Sequence, residues 1–223
     1  MIRAVIFDVY GTLISTGTGS VDAAAEILRN IGSDIPPKEF YGRWKKIHKQ
    51  LTLATMEKGF ITEEEIFRRG LRQLYREYGL IGDADRDVEP MLRSLTGRKV
   101  FPDVPAGLEN LRERYRICIG SNTDTEPLME NLRENGIAAD GIWTSESLRC
   151  YKPDPRFYER LLKEIDIRPE EAVFVGDSPA EDIEGPKKAG MKTILLDRKS
   201  AGQPEIIRPD RVLGELPAWG DLF

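Results

Sequence analysis

The segment Ala4-Val5-Ile6-Phe7-Asp8-Val9-Tyr10-Gly11-Thr12 sets a single carboxylate directly after a short apolar run. The run contains residue types typical of a buried strand, and the Gly-Thr pair interrupts the pattern soon after it. We therefore predict a strand with Asp8 at its carboxyl end. Because open α/β sheets build their active sites beyond that end of the strands, Asp8 is the first candidate for chemistry.

Two different patterns follow this segment along the chain. Residues 16–96 carry apolar positions at helical spacing without strand-like alternation, as Phe40, Trp44 and Ile47 illustrate. From about residue 102, apolar runs alternate with amphipathic helices, and the last clear strand spans residues 193–196. This alternation predicts right-handed βαβ units in a parallel sheet. We predict an α/β fold with a core of residues 1–15 and 97–223, into which residues 16–96 are inserted as an all-helical cap.

The composition excludes several classes of function. The net charge is −5 over 223 residues and the basic residues are dispersed, so the chain indicates no surface for nucleic acid or anionic membranes. No apolar stretch approaches the roughly 18–20 residues that span a bilayer, and the apolar start is too short for a signal peptide. The two cysteines lack metal-binding spacing, which favours free thiols in a cytoplasmic protein. We expect a small-molecule substrate and a monomer or homodimer.

Further chemical groups follow the other predicted strands, and a parallel sheet would gather them all at one edge. The set is Asp8, Ser121, Asn122, Lys152, Asp177 and Asp182. One lysine leaves about two of the three negative charges unbalanced, which is costly to desolvate. Mg²⁺ prefers oxygen ligands and would balance the excess. Such a site suits a phosphate ester, with Asp8 as nucleophile and with Ser121 and Lys152 on the phosphate oxygens.

Four segments of the chain, taken in order, resemble the motifs of the haloacid dehalogenase-like (HAD) hydrolases. They are Asp8-Val9-Tyr10-Gly11-Thr12-Leu13, the strand end at Ser121, Tyr151-Lys152-Pro153, and Gly176-Asp177-Ser178 with Asp182. The resemblance covers about residues 1–15 and 100–200, and the insert matches the position of the cap in the helical-cap subclass. It implies a Rossmann-like core and Mg²⁺-dependent phosphatase chemistry. It also implies metal ligation by Asp8, by the main-chain carbonyl of Tyr10 and by Asp177, with Asp182 close by.

Tyr10 departs from the pattern of the family's phosphatases. They usually carry a second Asp there, which serves as general acid and then as general base. Tyrosine, with an ordinary pKa near 10, is a poor base at neutral pH. Tyr at this position is instead similar to the 2-haloacid dehalogenases of the same family, whose halide leaving group needs no proton. Those enzymes need no metal and typically replace the Gly-Asp that this chain keeps at Gly176-Asp177.

The sequence is therefore compatible with three functions. A phosphatase acting through phospho-Asp8 comes first, with Lys152 and Tyr10 as its other catalytic candidates and Asn122 as a substrate contact. A metal-independent dehalogenase is the alternative, although its substrate-carboxylate Arg has only Arg43 as a loose match. A third reading is a binding or regulatory module that Tyr10 has made chemically idle. His48, the single histidine, is predicted to lie on a solvated face of the cap.

Overall fold

The computed structural model describes residues 1–198 and 208–216, and its centre is a six-stranded, entirely parallel sheet. The spatial order is β3-β2-β1-β4-β5-β6. The strands are β1 (Ala4–Phe7), β2 (Arg116–Ser121), β3 (Gly141–Thr144), β4 (Ala172–Gly176), β5 (Lys192–Leu196) and β6 (Arg211–Leu213). The predicted parallel α/β fold is confirmed. Residues 199–207 and 217–223 of the predicted core lie outside the described residues.

The sheet register fixes where Asp8 lies. Phe7, the last residue of β1, is paired with Ile119 of β2 on one side and with Val175 of β4 on the other. Asp8 therefore emerges between the carboxyl ends of the two neighbouring strands. This is the position at which groups carried by three consecutive strands of a parallel sheet can converge.

Apolar layers cover both faces of the sheet, as continuous apolar strands in a parallel sheet require. On one face Val5 and Phe7 pack with α6 (Val104–Arg112) and α7 (Thr125–Glu134). On the other face Ile6 packs with α9 (Pro155–Ile165). Short segments complete the core: α8 (Ser145–Leu148), a 3₁₀ turn (Pro169–Glu171), a π-helical turn (Pro179–Glu184) and α10 (Gly185–Lys188). Both cysteines are buried and free, as their spacing predicted.

An all-helical insertion separates β1 from the rest of the sheet. It consists of α1 (Gly19–Asn30), α2 (Pro37–Lys58), α3 (Glu63–Tyr78), α4 (Ala84–Asp87) and α5 (Glu89–Arg93). These cap helices have their own apolar cluster, in which Phe40, Trp44 and Ile47 are buried. The helical insertion is confirmed, while its boundaries at 16 and 96 stay a prediction. Among the described residues, no helix is both long and apolar enough to cross a membrane.

The cap is joined to the core by hydrogen bonds at the start of α3. The Asp124 carboxylate accepts from the main-chain N–H of Glu63 at 2.8 Å and of Glu64 at 2.9 Å. Asp124 thus supplies acceptors for two of the unpaired N–H groups that every helix N-terminus leaves. The Tyr151 hydroxyl donates to the main-chain oxygen of Ile61 at 2.9 Å, which fixes the loop that precedes α3. The cap therefore rests directly on the carboxyl edge of the sheet.

Candidate active site

The carboxyl edge of the sheet gathers all six residues singled out from the sequence. Asp8 follows β1, Ser121 ends β2 and Asn122 comes next, Lys152 lies in the loop before α9, Asp177 follows β4, and Asp182 lies in the π-helical turn. The predicted convergence is therefore present. The chemical roles assigned to these residues stay predictions.

Lys152 joins two carboxylates inside the protein. Its Nζ donates to Asp8 Oδ1 at 2.9 Å and to Asp182 Oδ1 at 2.7 Å, and only 1% of the lysine is exposed. Burial lowers the pKa of Lys152, but the charges of Asp182 and Asp8 raise it, and the net shift is upward. Lys152 is therefore a permanent cation at this edge, held by charge-assisted hydrogen bonds.

One oxygen of Asp8 takes all the hydrogen bonds that its carboxylate accepts from described residues. Besides the bond from Lys152, Oδ1 accepts from Ser121 Oγ at 3.1 Å. No described residue donates to Oδ2 of Asp8. The two bonds fix the carboxylate plane and leave Oδ2 as the oxygen that can act as a ligand or a nucleophile.

Asp182 is a buried partner of Lys152 rather than the N-cap of a helix. Its Oδ2 accepts from the main-chain N–H of Ser178 at 2.9 Å, and Ser178 is the residue at the N-cap position. Burial raises the pKa of Asp182 while Lys152 lowers it, and the net shift is upward. A Cβ on Gly176 would overlap the Asp182 carboxylate, which explains why the strand ends in glycine.

Asp177 completes a group of three acids. Carboxylate oxygens of Asp8, Asp177 and Asp182 lie within 4.8 Å of one another. Thr12 Oγ1 donates to Asp177 Oδ1 at 3.3 Å, and a Cβ on Gly11 would lie 2.5 Å from Asp177 Oδ2. Gly11 also has φ of +99°, so both backbone conformation and space require glycine there. These hard oxygen donors fit a magnesium ion.

Tyr10 is held as a neutral phenol. Its hydroxyl oxygen accepts from Asn131 Nδ2 at 2.9 Å, and the Arg98 guanidinium lies 4.7 Å from the ring centroid. Burial raises the pKa of Tyr10 to about 12, although Asn131 and Arg98 each act to lower it. The side chain therefore cannot replace a carboxylate as a base at neutral pH.

Asn122 supports the main chain that carries Lys152. Its Nδ2 donates to Lys152 O at 2.9 Å and to Glu181 Oε2 at 3.1 Å, and its Oδ1 accepts from Lys152 N at 2.7 Å. The predicted contact between Asn122 and substrate stays a prediction. The observed bonds give Asn122 a positioning role toward Lys152.

Two cavities lie between the cap and this edge. The larger is about 570 Å³ and is lined by Lys45, His48 and Lys49 of α2, facing Lys152 and Glu181 of the core. The smaller is about 260 Å³ and includes Tyr10, Arg98 and Glu63. Lys45, His48 and Asn122 border both cavities. The larger volume lies in the range of small-molecule sites.

The face of α2 that carries His48 has exposed lysines at Lys45 and Lys49, but His48 itself is only partly exposed. Its ring stands 4.7 Å from the ring centroid of Phe67, and its Nε2 is buried, 3.6 Å from Glu63 Oε1. A polar helix face can point to solvent or to a polar cleft, and the sequence pattern is the same for both. The spacing of Lys45, His48 and Lys49 at i, i+3 and i+4 was the available signal for a shared face.

Arg43 is not a substrate contact in this structure. Its guanidinium forms two 2.7 Å hydrogen bonds with Glu77 and lines neither cavity. Arg98 lies beside Tyr10 instead, on the segment that returns from the cap to the core. Sequence reasoning missed Arg98 and Glu63 because neither follows a strand, and only the folded cap brings them over the sheet edge.

This geometry can now be compared with known proteins. The family model of the haloacid dehalogenase-like hydrolases matches residues 2–190, and the chain therefore belongs to this family. It is 28% identical to (S)-2-haloacid dehalogenase 1 of Pseudomonas sp. strain CBS-3, over 97% of this chain and 95% of the relative. It is 27% identical to glyceraldehyde 3-phosphate phosphatase of Methanopyrus kandleri, over 89% of this chain and 85% of the relative.

A solved structure supports the same fold. The HAD-hydrolase YfnB of Bacillus subtilis, a structure bound to magnesium, matches with a TM-score of 0.81 and 21% identity over 96% of this chain and 95% of that one. The chain is thus a HAD-family hydrolase with a cap, and the family implies a small-molecule substrate. Its relatives include dehalogenases and phosphatases, and the dehalogenase above matches more of both chains than the phosphatase does.

Proposed function

We propose that this protein is a Mg²⁺-dependent phosphatase of small phosphorylated metabolites that acts through an aspartyl-phosphate on Asp8. One observation carries the proposal, namely the group of three carboxylates whose oxygens approach within 4.8 Å. Asp177 is the decisive member, because it brings a third carboxylate up to Asp8 and Asp182. A dehalogenase that uses no metal has no need of a further acid at this position.

The charge balance supports a bound cation. Lys152 is the one cation that forms ion pairs with Asp8 and Asp182 among the described residues. The nearby Glu181 adds a further acid, and burial raises its pKa. Uncompensated buried charges cost several kcal/mol each, so an excess of this size favours binding of a divalent cation.

The residues that would hold the ion are Asp8, Asp177 and the main-chain carbonyl of Tyr10, with Asp182 acting indirectly through its bond to Lys152. When bound, magnesium supplies positive charge that offsets the charge on the transferring phosphoryl group. A ligand taken from the main chain of residue 10 does not depend on the side chain there. The substitution of Tyr for Asp is therefore compatible with metal binding.

In the proposed reaction, a carboxylate oxygen of Asp8 forms a bond to phosphorus while the bond from phosphorus to the ester oxygen breaks. The leaving alkoxide takes a proton from water, because the neutral phenol of Tyr10 is a weak acid. Ser121 and Lys152 donate to the phosphoryl oxygens in both steps. Water then attacks phosphorus, the acyl-phosphate bond breaks, and phosphate leaves with Asp8 restored.

A 2-haloacid dehalogenase is the second candidate, and the buried neutral Tyr10 favours it. Asp8 would attack the carbon that carries the halogen, and halide would leave without a proton. Water would then hydrolyse the resulting ester. The names of the curated relatives support this chemistry as well. The retained Asp177 argues against it.

Activity assays with two classes of substrate separate these candidates. Phosphomonoesters and 2-haloacids are assayed with Mg²⁺ and with chelator, using wild type, Asp8→Asn and Asp177→Asn. We expect phosphate release that needs Mg²⁺ and disappears in Asp8→Asn. Halide release that is indifferent to chelator would establish the dehalogenase instead. Magnesium binding without either product would indicate a binding module.

A further inference from the structure

We infer that the cap contains an anion-binding subsite, and that the substrate carries a second anionic group besides its phosphate. The subsite is the cation face of α2, which we define by the ammonium groups of Lys45 and Lys49 and the imidazole of His48 on the same side of the helix. This inference rests on the proposed phosphatase activity and narrows its substrate class to small phosphorylated acids.

The cation face lies across the larger cavity from Lys152, the partner of Asp8. Residues at i, i+3 and i+4 share one side of a helix, and here all three border the larger cavity. Lys152 borders the same cavity from the core, and its Nζ is bonded to Asp8. A substrate whose phosphate lies at Asp8 would therefore extend its remaining atoms toward Lys45 and Lys49.

The two lysines of this face are not neutralised by any described residue, while His48 Nε2 lies 3.6 Å from Glu63 Oε1. Neither Lys45 nor Lys49 has an ion pair with an acid among the described residues. Other basic residues of the cap do form ion pairs; Arg43 Nη2, for example, lies 2.7 Å from Glu77 Oε1. Glu181 is an acid on the opposite wall of the same cavity. It accepts a hydrogen bond from Asn122, and the charge of Lys49 acts to lower its pKa.

His48 adds an unpaired polar group to the same face. Its Nε2 is buried and has no hydrogen-bond partner among the described residues. A buried polar group without a partner costs about 1–3 kcal/mol, so occupancy of the cavity by an acceptor would be favourable. An anionic substrate group provides both the acceptor and the countercharge.

The ligand must be small and must carry two separate anionic groups. A cavity of about 570 Å³ has room for more than a phosphate group alone. The protein as a whole has a net charge of −5, so local positive charge at the cleft is what attracts an anionic substrate. A short phosphate ester that also bears a carboxylate or a second phosphate fits these requirements.

The test uses two esters that differ in a single group: the terminal phosphate esters of glycerate and of glycerol. We expect wild type to prefer the glycerate ester in kcat/KM by about tenfold, mainly through KM. The double variant Lys45→Gln with Lys49→Gln should lose that preference and keep its kcat for the glycerol ester. Lys46→Gln is the matched control, because Lys46 is an exposed lysine of α2 that borders neither cavity.

Binding measurements keep this inference separable from the proposed function. Calorimetry on Asp8→Asn with Mg²⁺ compares the affinities for the same two esters. Turnover of both esters without preference would overturn the subsite alone, while preferential binding without turnover would overturn the phosphatase alone. Binding of neither ester would overturn both. The bisphosphate of propanediol is a third probe, and a preference for it over the glycerol ester supports the subsite with phosphate as the second group.

Discussion

The cleft has a core wall, formed by the sheet edge with Asp8, Lys152 and Asp182, and a cap wall, formed by α2 with Lys45 and Lys49. Charged side chains are paired on the first wall and unpaired with described residues on the second. On the core wall Asp8, Lys152 and Asp182 are buried and joined by hydrogen bonds of 2.9 and 2.7 Å. On the cap wall Lys45 and Lys49 are exposed and have no ion pair with a described residue. On the core wall Asp8 and Asp182 therefore find a partner within the protein, whereas Lys45 and Lys49 on the cap wall have none among the described residues.

This difference has a physical origin. Buried charges must be paired at folding, so the groups that perform the chemistry are already oriented before substrate arrives. Charges on the cap wall stay hydrated, and they exchange water for substrate groups on binding. We therefore expect the core wall to account for reactivity and the cap wall to account for selectivity.

Lys152→Met tests the core wall most severely. It leaves the Asp8 and Asp182 carboxylates buried without their cation, and breaking such a pair costs about 3–5 kcal/mol. We expect a matching loss in the free energy of unfolding, together with a fall in turnover on the order of 10³-fold or more. Denaturant titration and steady-state assays measure the two effects.

Lys163→Met is the control for this change, because Lys163 is an exposed lysine of α9. It should leave stability and turnover close to wild type. If Lys152→Met were as stable and active as its control, the paired core wall would have no energetic importance.

Asp177→Asn tests whether Asp177, the third acid of the group, is a magnesium ligand. Removing one charge from the acidic group relieves repulsion, so the variant should resist denaturant better than wild type in chelator. It should also need about 10–100 times more Mg²⁺ for half-maximal activity. Asp166→Asn is the control, since Asp166 is an exposed residue with φ of 53°, a conformation that Asn tolerates. Equal magnesium requirements in both variants would contradict the proposed ligand.

The sequence was sufficient to predict the core wall because strand ends are local features. Asp8, Ser121 and Asp177 each follow an apolar run, and a parallel sheet has only one carboxyl edge. A bond from Lys152 to the nucleophile Asp8 was predictable, but its second bond, to Asp182, was not, because that bond depends on the path of a π-helical turn.

The missed features depend on contacts between distant segments. β6 has no apolar run of its own, and its residues are mostly exposed, so only pairing with β5 defines it as a strand. Lys45 and Lys49 are exposed, as the sequence predicted for this face of α2, but the sequence does not reveal that the face borders a cavity. Docking of the cap decides that, through contacts such as those of Asp124.

Tyr10→Asp sharpens the comparison by adding an acid to the core wall. The protonated carboxyl group there would donate its proton to poor leaving groups, so turnover of alkyl phosphates should rise about tenfold to a hundredfold relative to aryl phosphates. Tyr10→Phe is the control and should leave the ratio unchanged. Because the pKa of Tyr10 is raised to about 12, Tyr10→Phe should also leave the pH profile unchanged below about pH 10. The absence of any gain in Tyr10→Asp would contradict the argument from a missing acid.

The smallest expected effect concerns how the two walls are held together, and α3 offers a matched pair of variants. Its N-terminus is capped from within the cap by Thr62, which accepts from Glu65 N at 3.3 Å, and from the core by Asp124. Each loss of a helix cap costs about 1 kcal/mol. Thr62→Ala and Asp124→Ala should therefore lower the free energy of unfolding by similar amounts. Only Asp124→Ala should also raise KM, by a few fold, because it alone releases the cap wall from the core wall. Equal KM values would mean that the cap is positioned by its other contacts.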